Sequence, residues 1–254
     1  MFDKNLLSNN ISEIDKNLLA QTISKIHLFF AKFGVDIDYD NSKELFERLK
    51  VEDVKGEQNY VVSYDEFNGT IKQNFENPDF SPKRYEAELV ESLLSILSQK
   101  YNPESGECIF ESQKYNHGLT SKDTNLKSHG LALNEMLKSY IATLITGYKK
   151  EESVKDFYLD SPNDYETIPD RAIQDFCDVF GAEFLLKSFI NADGSELFYK
   201  VGEALGSEES AVELYASIDN YNKEDKEKAI SNRSKYDMNM KVLKENKLEN
   251  KHKM

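Results

Sequence analysis

The chain has 254 residues, 39% hydrophobic and 31% charged, and its 15 Phe and 14 Tyr supply bulk for a packed core in one large domain or two small ones. A formal net charge of −14 repels the polyanionic phosphate backbone, which excludes nucleic-acid binding through a basic face. Two cysteines, Cys108 and Cys177, stand outside any C-x-x-C pair, which excludes a disulfide framework and a cysteine zinc site, so inert buried thiols are expected.

Met1 to Ser8 carries no sustained apolar run, and no stretch approaches about 18 apolar residues, so a cytoplasmic protein without a secretory signal or membrane span is expected. Ser12 followed by Asp15 resembles a capping box and opens a helix to about Phe33, with Ile11, Ile14, Leu18, Ile23, Ile26, Phe30 and Phe33 at helical spacing. Asn41 to Lys50 reads as a short second helix. Tyr60–Tyr64 and Thr70–Phe75 then read as strands around a turn containing Asn68-Gly69, a strong hairpin signal. Ser81-Pro82 begins a helix to about Tyr101, with Leu89, Leu93, Ile96 and Leu97 as its core stripe. A strand is expected over Glu107–Ser112, a long polar loop from Gly118 to Gly130, and a helix from Leu131 to Thr146 with Leu133, Leu137, Tyr140, Ile141 and Leu144 on one face. Lys149 to Asn163 is a charged linker. Short helices follow at 165–180, 182–190, 194–206 and 208–219, broken at Gly181, Asp193-Gly194 and Gly206-Ser207. After Asn220 the Lys/Glu/Asn-rich tail is at best a solvated helix, frayed by its end.

The most informative pair of segments is Tyr85 to Ser98 and, some thirty residues on, Gly130 to Thr146. With the hairpin before them and the helical half after them, they resemble, over roughly residues 58 to 220, a group of bacterial proteins with a gluzincin-like metallopeptidase layout. That group places a hairpin before a helix of the form H-E-L-x-H-M-x-S, then an N-E motif on a later helix, and closes with a helical bundle. In its motif two histidines four apart share one helix face and reach a zinc ion, the glutamate between them activates the bound water, and a later carboxylate completes the ligand set. Leu93-Leu94-Ser95-Ile96-Leu97-Ser98 aligns with L-x-H-M-x-S, which puts Glu91 and Ser95 where the histidines belong and Ser92 at the general base. Only the N-E pair, Asn134-Glu135, survives. The resemblance therefore implies a pseudoenzyme with no catalytic residues and no cofactor.

Glu88, Glu91, Ser92 and Ser95 recur at i, i+3, i+4 and i+7; they either line the relic of a cleft or form the solvated side of an amphipathic helix. Of the four histidines, His27 lies at the edge of a core stripe and His252 in the tail. His117 and His129 bracket the polar loop and, with Glu91 and Glu135, make up the alternative metal site; Glu91 and Glu135 alone would suit a hard cation such as Mg²⁺ or Ca²⁺. Gly202-x-x-x-Gly206 is a helix-pairing motif only in a membrane, and this segment is charged. Asn191-Ala192-Asp193-Gly194 lacks the ligand spacing of a calcium loop and reads as a turn.

The expected fold is α+β and mostly helical: an N-terminal helical segment (1–57), a hairpin with the metallopeptidase-like core helices (58–150), a C-terminal helical bundle (164–220) and a charged tail (221–254). The expected function is that of a catalytically inactive metallopeptidase-like protein that binds a protein or peptide, with no nucleic acid or membrane as partner. Two rivals stand beside it: a metal-dependent hydrolase with a rebuilt metal site, and an acidic inhibitor or decoy from a mobile element.

Overall fold

A computed structural model describes residues 2–56, 58–101, 115–122, 128–148, 168–221 and 225–252. The protein is α+β and mostly helical. Two compact units divide it: residues 1–118, 138–149 and 190–192 in the first, and 119–137, 150–189 and 193–254 in the second. The N-terminal helices, the hairpin and the 82–97 helix thus share one unit. The expected strand at 107–112, Cys108 and the linker at 149–163 lie outside the described residues.

In the first unit a short 3-10 turn (Lys4–Leu6) precedes α1 (Glu13–Ala31). The cap is as the sequence predicts: the Ser12 hydroxyl accepts the Asp15 N–H at 3.2 Å and donates to the Asp15 carboxylate at 2.6 Å. The buried stripe keeps Ile11, Ile23, Ile26 and Phe30 of the expected set, adds Leu19 and leaves out Ile14 and Phe33. Leu19, Ile23, Ile26 and Phe30 are buried, whereas Ile14 is 81% exposed. The apolar residues of this helix fill more than one face, and only packing selects which of them meets the core. A second 3-10 turn (Tyr39–Ser42) leads into α2 (Lys43–Arg48), where helix ends and β1 (Lys50–Asp53) begins. β1 has no apolar alternation and was not legible in sequence; it is a strand because it pairs in parallel with β3.

β2 (Val62–Asp65) and β3 (Thr70–Gln73) form the expected hairpin, antiparallel with Asp65 opposite Thr70, and the sheet order is β1-β3-β2. Gly69 takes a φ of 61°, which only glycine adopts freely, in the turn that Asp65 closes by accepting the N–H groups of Phe67 and Asn68 at 3.1 and 3.2 Å. The Lys72 ammonium, 2.7 Å from Asp65, and then the Asn68 side chain hold the Asp65 carboxyl down at about 2. A carboxyl depressed in the folded state stabilises fully above its unfolded pKa and loses that contribution as pH falls through its folded one. Acid melting curves are therefore expected to steepen between pH 4 and about 2, and Asp65→Asn to flatten that window.

α3 (Pro82–Leu97) starts at the Ser81 cap, whose hydroxyl accepts the Arg84 N–H at 3.2 Å. Its core stripe is as expected, with Leu89, Leu93, Ile96 and Leu97 all buried. The helix stops four residues before Tyr101 because β4 (Gln99–Tyr101) leaves it to pair antiparallel with β5 (Tyr115–His117). Gly118 N–H to the Ser98 carbonyl, at 2.7 Å, closes that ladder.

In the second unit the loop expected over 118–130 contains a two-residue ladder, β6 (Ser121–Lys122) with β7 (Ser128–His129). α4 (Leu131–Thr146), whose residues to Leu137 belong to this unit and the rest to the first, has the expected bounds, but Tyr140 and Leu144 are exposed while Leu133, Leu137 and Ile141 are buried. α5 (Ile168–Phe180), α6 (Ala182–Ile190), α7 (Gly194–Leu205) and α8 (Glu208–Asp219) fall where their breakers predict. Gly206, with φ 85°, ends α7, and Ser207 caps α8 by accepting the Ser210 N–H at 3.1 Å.

The tail corrects the sequence expectation. Lys226–His252 is a single helix, α9, that packs on α5, α7 and α8 and buries Ala229, Tyr236, Met240 and Leu243. These four share one face while Ile230, Met238 and Val242 stay exposed on others, and Tyr236 is held by donating its hydroxyl to the buried Asp175 carboxylate at 2.8 Å with the Arg171 guanidinium 5.0 Å over its ring. Tyr215 on α8 is fully buried between Phe176 and Phe198, and its hydroxyl has no hydrogen-bond partner among the described residues. Burial first and the Asp219 carboxylate second push its phenol far above the usual range. Removing an unpaired buried hydroxyl while keeping the ring relieves its desolvation cost, so Tyr215→Phe is expected to raise unfolding stability by about 1 kcal/mol in a denaturant titration.

Candidate functional site

The polar residues of α3 are engaged in building the first unit. Glu88 is 3% exposed and accepts three hydrogen bonds: the N–H groups of Val61 and Val62 at 2.6 and 2.8 Å, and the Arg84 Nε at 2.8 Å. Arg84 in turn donates to the Asn59 carbonyl at 2.9 Å, so one carboxylate ties the start of the hairpin to the helix. Ser92 is buried, and Glu91 is half-buried with its carbonyl accepting the Ser95 hydroxyl at 3.2 Å. The Ser95 hydroxyl accepts from the ammonium of the buried Lys138 at 2.8 Å. Of the stripe, Glu88 and Ser92 are neither solvated nor open to a cleft.

In the second unit, Asn134 is buried and accepts the Leu119 N–H through Oδ1 at 3.1 Å, which fixes the chain leading into β6, while Glu135 is exposed. The start of α4 is held by Asp219, whose two oxygens accept the Gly130 and Ala132 N–H groups at 2.8 and 2.9 Å. A carboxylate 89 residues along the chain from its partner leaves no local signal in sequence.

The histidines are scattered in role. The His27 Nδ1 lies 3.2 Å from the Tyr39 hydroxyl, half-buried at the edge of the core as expected. His117 belongs to β5 in the first unit; His129, in β7 of the second, is buried and stacks on Phe198 with ring centroids 5.8 Å apart. Among the described residues no three His, Cys, Asp or Glu side chains come together in a group suited to a metal ion. Cys177 is half-buried on α5, and burial pushes its thiol up, the direction that makes a thiol less nucleophilic at neutral pH.

A cavity of about 620 Å³ lies within the second unit, walled by β6, α7 and the start of α8. Phe198 forms apolar wall, itself braced by His129 and by the edge-on ring of Tyr215 at 5.3 Å. Tyr199, 65% exposed, stands beside it with Glu203, while Ser121 and Lys122 come from β6 and Glu208 from α8. Gly202 and Gly206, four apart, present no side chain to this space. Ser121 is only 5% exposed, and its buried hydroxyl has no hydrogen-bond partner among the described residues.

Two other glycines, Gly130 before α4 and Gly194 at the start of α7, let the chain leading into β6 pass close. A Cβ on Gly194 would lie 2.4 Å from the Leu119 carbonyl carbon and the Thr120 oxygen, and one on Gly130 2.6 Å from the Leu119 oxygen. Only bare backbone permits that approach. Sequence reasoning missed Ser121, Phe198, Tyr199 and Glu203. The available signal was Gly202-x-x-x-Gly206, which outside a membrane marks a helix face left free of side chains.

No family model, curated protein or solved structure matches the chain.

No described helix is long and apolar enough to cross a membrane. Any functional reading therefore stands on the geometry of these two units. Within them the cavity brings an apolar wall together with charged residues, a combination common in binding sites.

Proposed function

We propose that this protein acts by binding and not by catalysis, holding a peptide segment of a partner protein in the cavity of the second unit. It does so on a gluzincin-like scaffold whose zinc ligands have been replaced. The observation that carries the binding half is the cavity itself: about 620 Å³, apolar along Phe198, bare along Gly202, with the exposed Tyr199 beside it. Cavities of roughly 300–1,000 Å³ with an apolar wall and a few polar groups are the usual form of a ligand site. The non-catalytic half is supported by the engagement of Glu88, Ser95 and Asn134 in scaffold hydrogen bonds. These bonds give the three side chains a structural part in the fold.

A displayed peptide library panned on the intact protein is expected to yield binders that Gly202→Leu rejects. A Cβ at Gly202 meets only ordinary contacts, at 3.5 Å from the Ser207 oxygen and 3.8 Å from Ala211, so a side chain can start there without displacing backbone. Binders that the variant retains, with its melting temperature unchanged, would place binding elsewhere. Stoichiometric zinc in protein purified without chelators or a histidine tag would overturn the non-catalytic half.

A further inference from the structure

The hairpin of the first unit turns through Asn68-Gly69, the one Asn-Gly pair in the chain. Asn68 is exposed, and open space surrounds the point where a Cβ on Gly69 would stand. Among the described residues no acceptor meets the Gly69 N–H. These three conditions bear on one reaction, attack by a main-chain nitrogen on the side-chain amide of the asparagine before it. A side chain on the attacking residue obstructs that approach, and glycine does not. The nitrogen must also give up its proton, which an N–H outside the ladder can pass to water.

We infer that Asn68 is a site of spontaneous modification, ending as aspartate or isoaspartate. The Gly69 nitrogen bonds to the Asn68 Cγ, and the carboxamide nitrogen leaves as ammonia, balanced by the proton that Gly69 gives up. Water then opens the cyclic imide. Attack at Cγ restores the original main chain and leaves aspartate. Attack at the main-chain carbonyl leaves isoaspartate, with an extra carbon in the chain path. Nothing is oxidised or reduced, and water is the sole co-reactant.

The change reaches the fold through Asp65. The Asn68 carboxamide donates to Asp65 Oδ2 at 2.9 Å, and both products replace that donor by a carboxylate. A hydrogen bond is lost and a like charge gained beside a carboxyl that Lys72 and Asn68 hold low. Isoaspartate also lengthens the turn, and the turn fixes the register of a hairpin. The same contact slows the reaction in the folded chain, because Nδ2 must leave Asp65 for Cγ to turn toward Gly69. One exposed hydrogen bond holds it back by about ten-fold at most.

The test is to age the full chain in warm, mildly alkaline ¹⁸O-labelled water, folded in one sample and in denaturant in another, and to map peptides after digestion in ordinary acidic buffer. In the folded sample label is expected at residue 68 before any other asparagine, at a rate within about ten-fold of the denatured sample. Carboxyl NMR of the aged protein is expected to place Asp65 about one unit above its value in fresh protein, with Asn68→Asp as the marker for the aspartate product. Amides of β2 and β3 are expected to exchange faster after ageing. Label at residue 68 in the denatured sample alone, or earlier label elsewhere in the folded one, overturns the assignment. Label at residue 68 with Asp65 and the hairpin amides unchanged overturns its effect on the fold.

Discussion

Gly194→Ala is expected to destabilise the second unit by about 3 kcal/mol, the upper range for forcing added volume into packed structure. The added methyl would sit 2.4 Å from two backbone atoms of Leu119 and Thr120, so no side-chain rotation relieves the clash and β6 must move away from α7. Gly194 is also buried at the first position of α7, where the helix meets the chain leading to Ser121. For a unit of this size the loss corresponds to a fall in melting temperature on the order of 15 °C. Gly202→Ala serves as the control, because it lies on the same helix and its Cβ would meet only ordinary van der Waals contacts, none nearer than 3.5 Å. It is expected to be neutral or to stabilise by up to about 1 kcal/mol through helix propensity and a stiffer unfolded chain. If the two variants melt alike, the close approach of α7 to the Leu119–Thr120 backbone is not a determinant of this unit's stability.

Glu88→Ala is expected to cost the first unit about 3–5 kcal/mol, as breaking a buried charge pair from one side does. Alanine leaves the Arg84 guanidinium without its nearest carboxylate and two buried N–H groups, of Val61 and Val62, without an acceptor. Glu88→Gln separates these contributions. Its amide oxygen still accepts from the valines, but its NH₂ faces the Arg84 Nε, donor against donor, so an intermediate loss of about 1–3 kcal/mol is expected. Hydrogen exchange at Val61 and Val62 gives the local readout. In Glu88→Ala those amides exchange faster than the neighbouring β3 amides, and in Glu88→Gln they keep most of their protection. Unchanged exchange in both variants would show that the hairpin is held by its ladder alone.

These two residues also show what was and was not legible in the chain. Glu88 stands in the α3 polar stripe at spacing that fits a solvated face or a relic cleft, and it is neither. Helical periodicity reports which side chains share a face, not what covers that face, and here the groups that meet Glu88 are the N–H of Val61, just before β2, and of Val62, its first residue, 27 and 26 residues earlier. Gly194 was legible only as a helix break. Its second role, allowing a distant carbonyl to approach, is a property of two segments at once. Asn134 reads in sequence as the survivor of a metal motif, and in the fold its amide oxygen holds the Leu119 N–H.

Sequence alone determined the parts that local chemistry decides. The Ser12, Ser81 and Ser207 caps, the Asn68-Gly69 turn, the bounds of α4, α6 and α8 and the α+β, mostly helical class follow from hydroxyl acceptors, positive-φ glycines and 3.6-residue periodicity acting within a few residues. Tertiary structure decided what needs a partner far along the chain. β1 is a strand because β3 offers it a ladder, α9 is a packed helix because α5, α7 and α8 cover Tyr236 and Met240, and the cavity exists because a two-residue strand meets the glycine-bare face of α7. Each of these depends on surfaces that become complementary only after both elements have formed, and no window of sequence contains both.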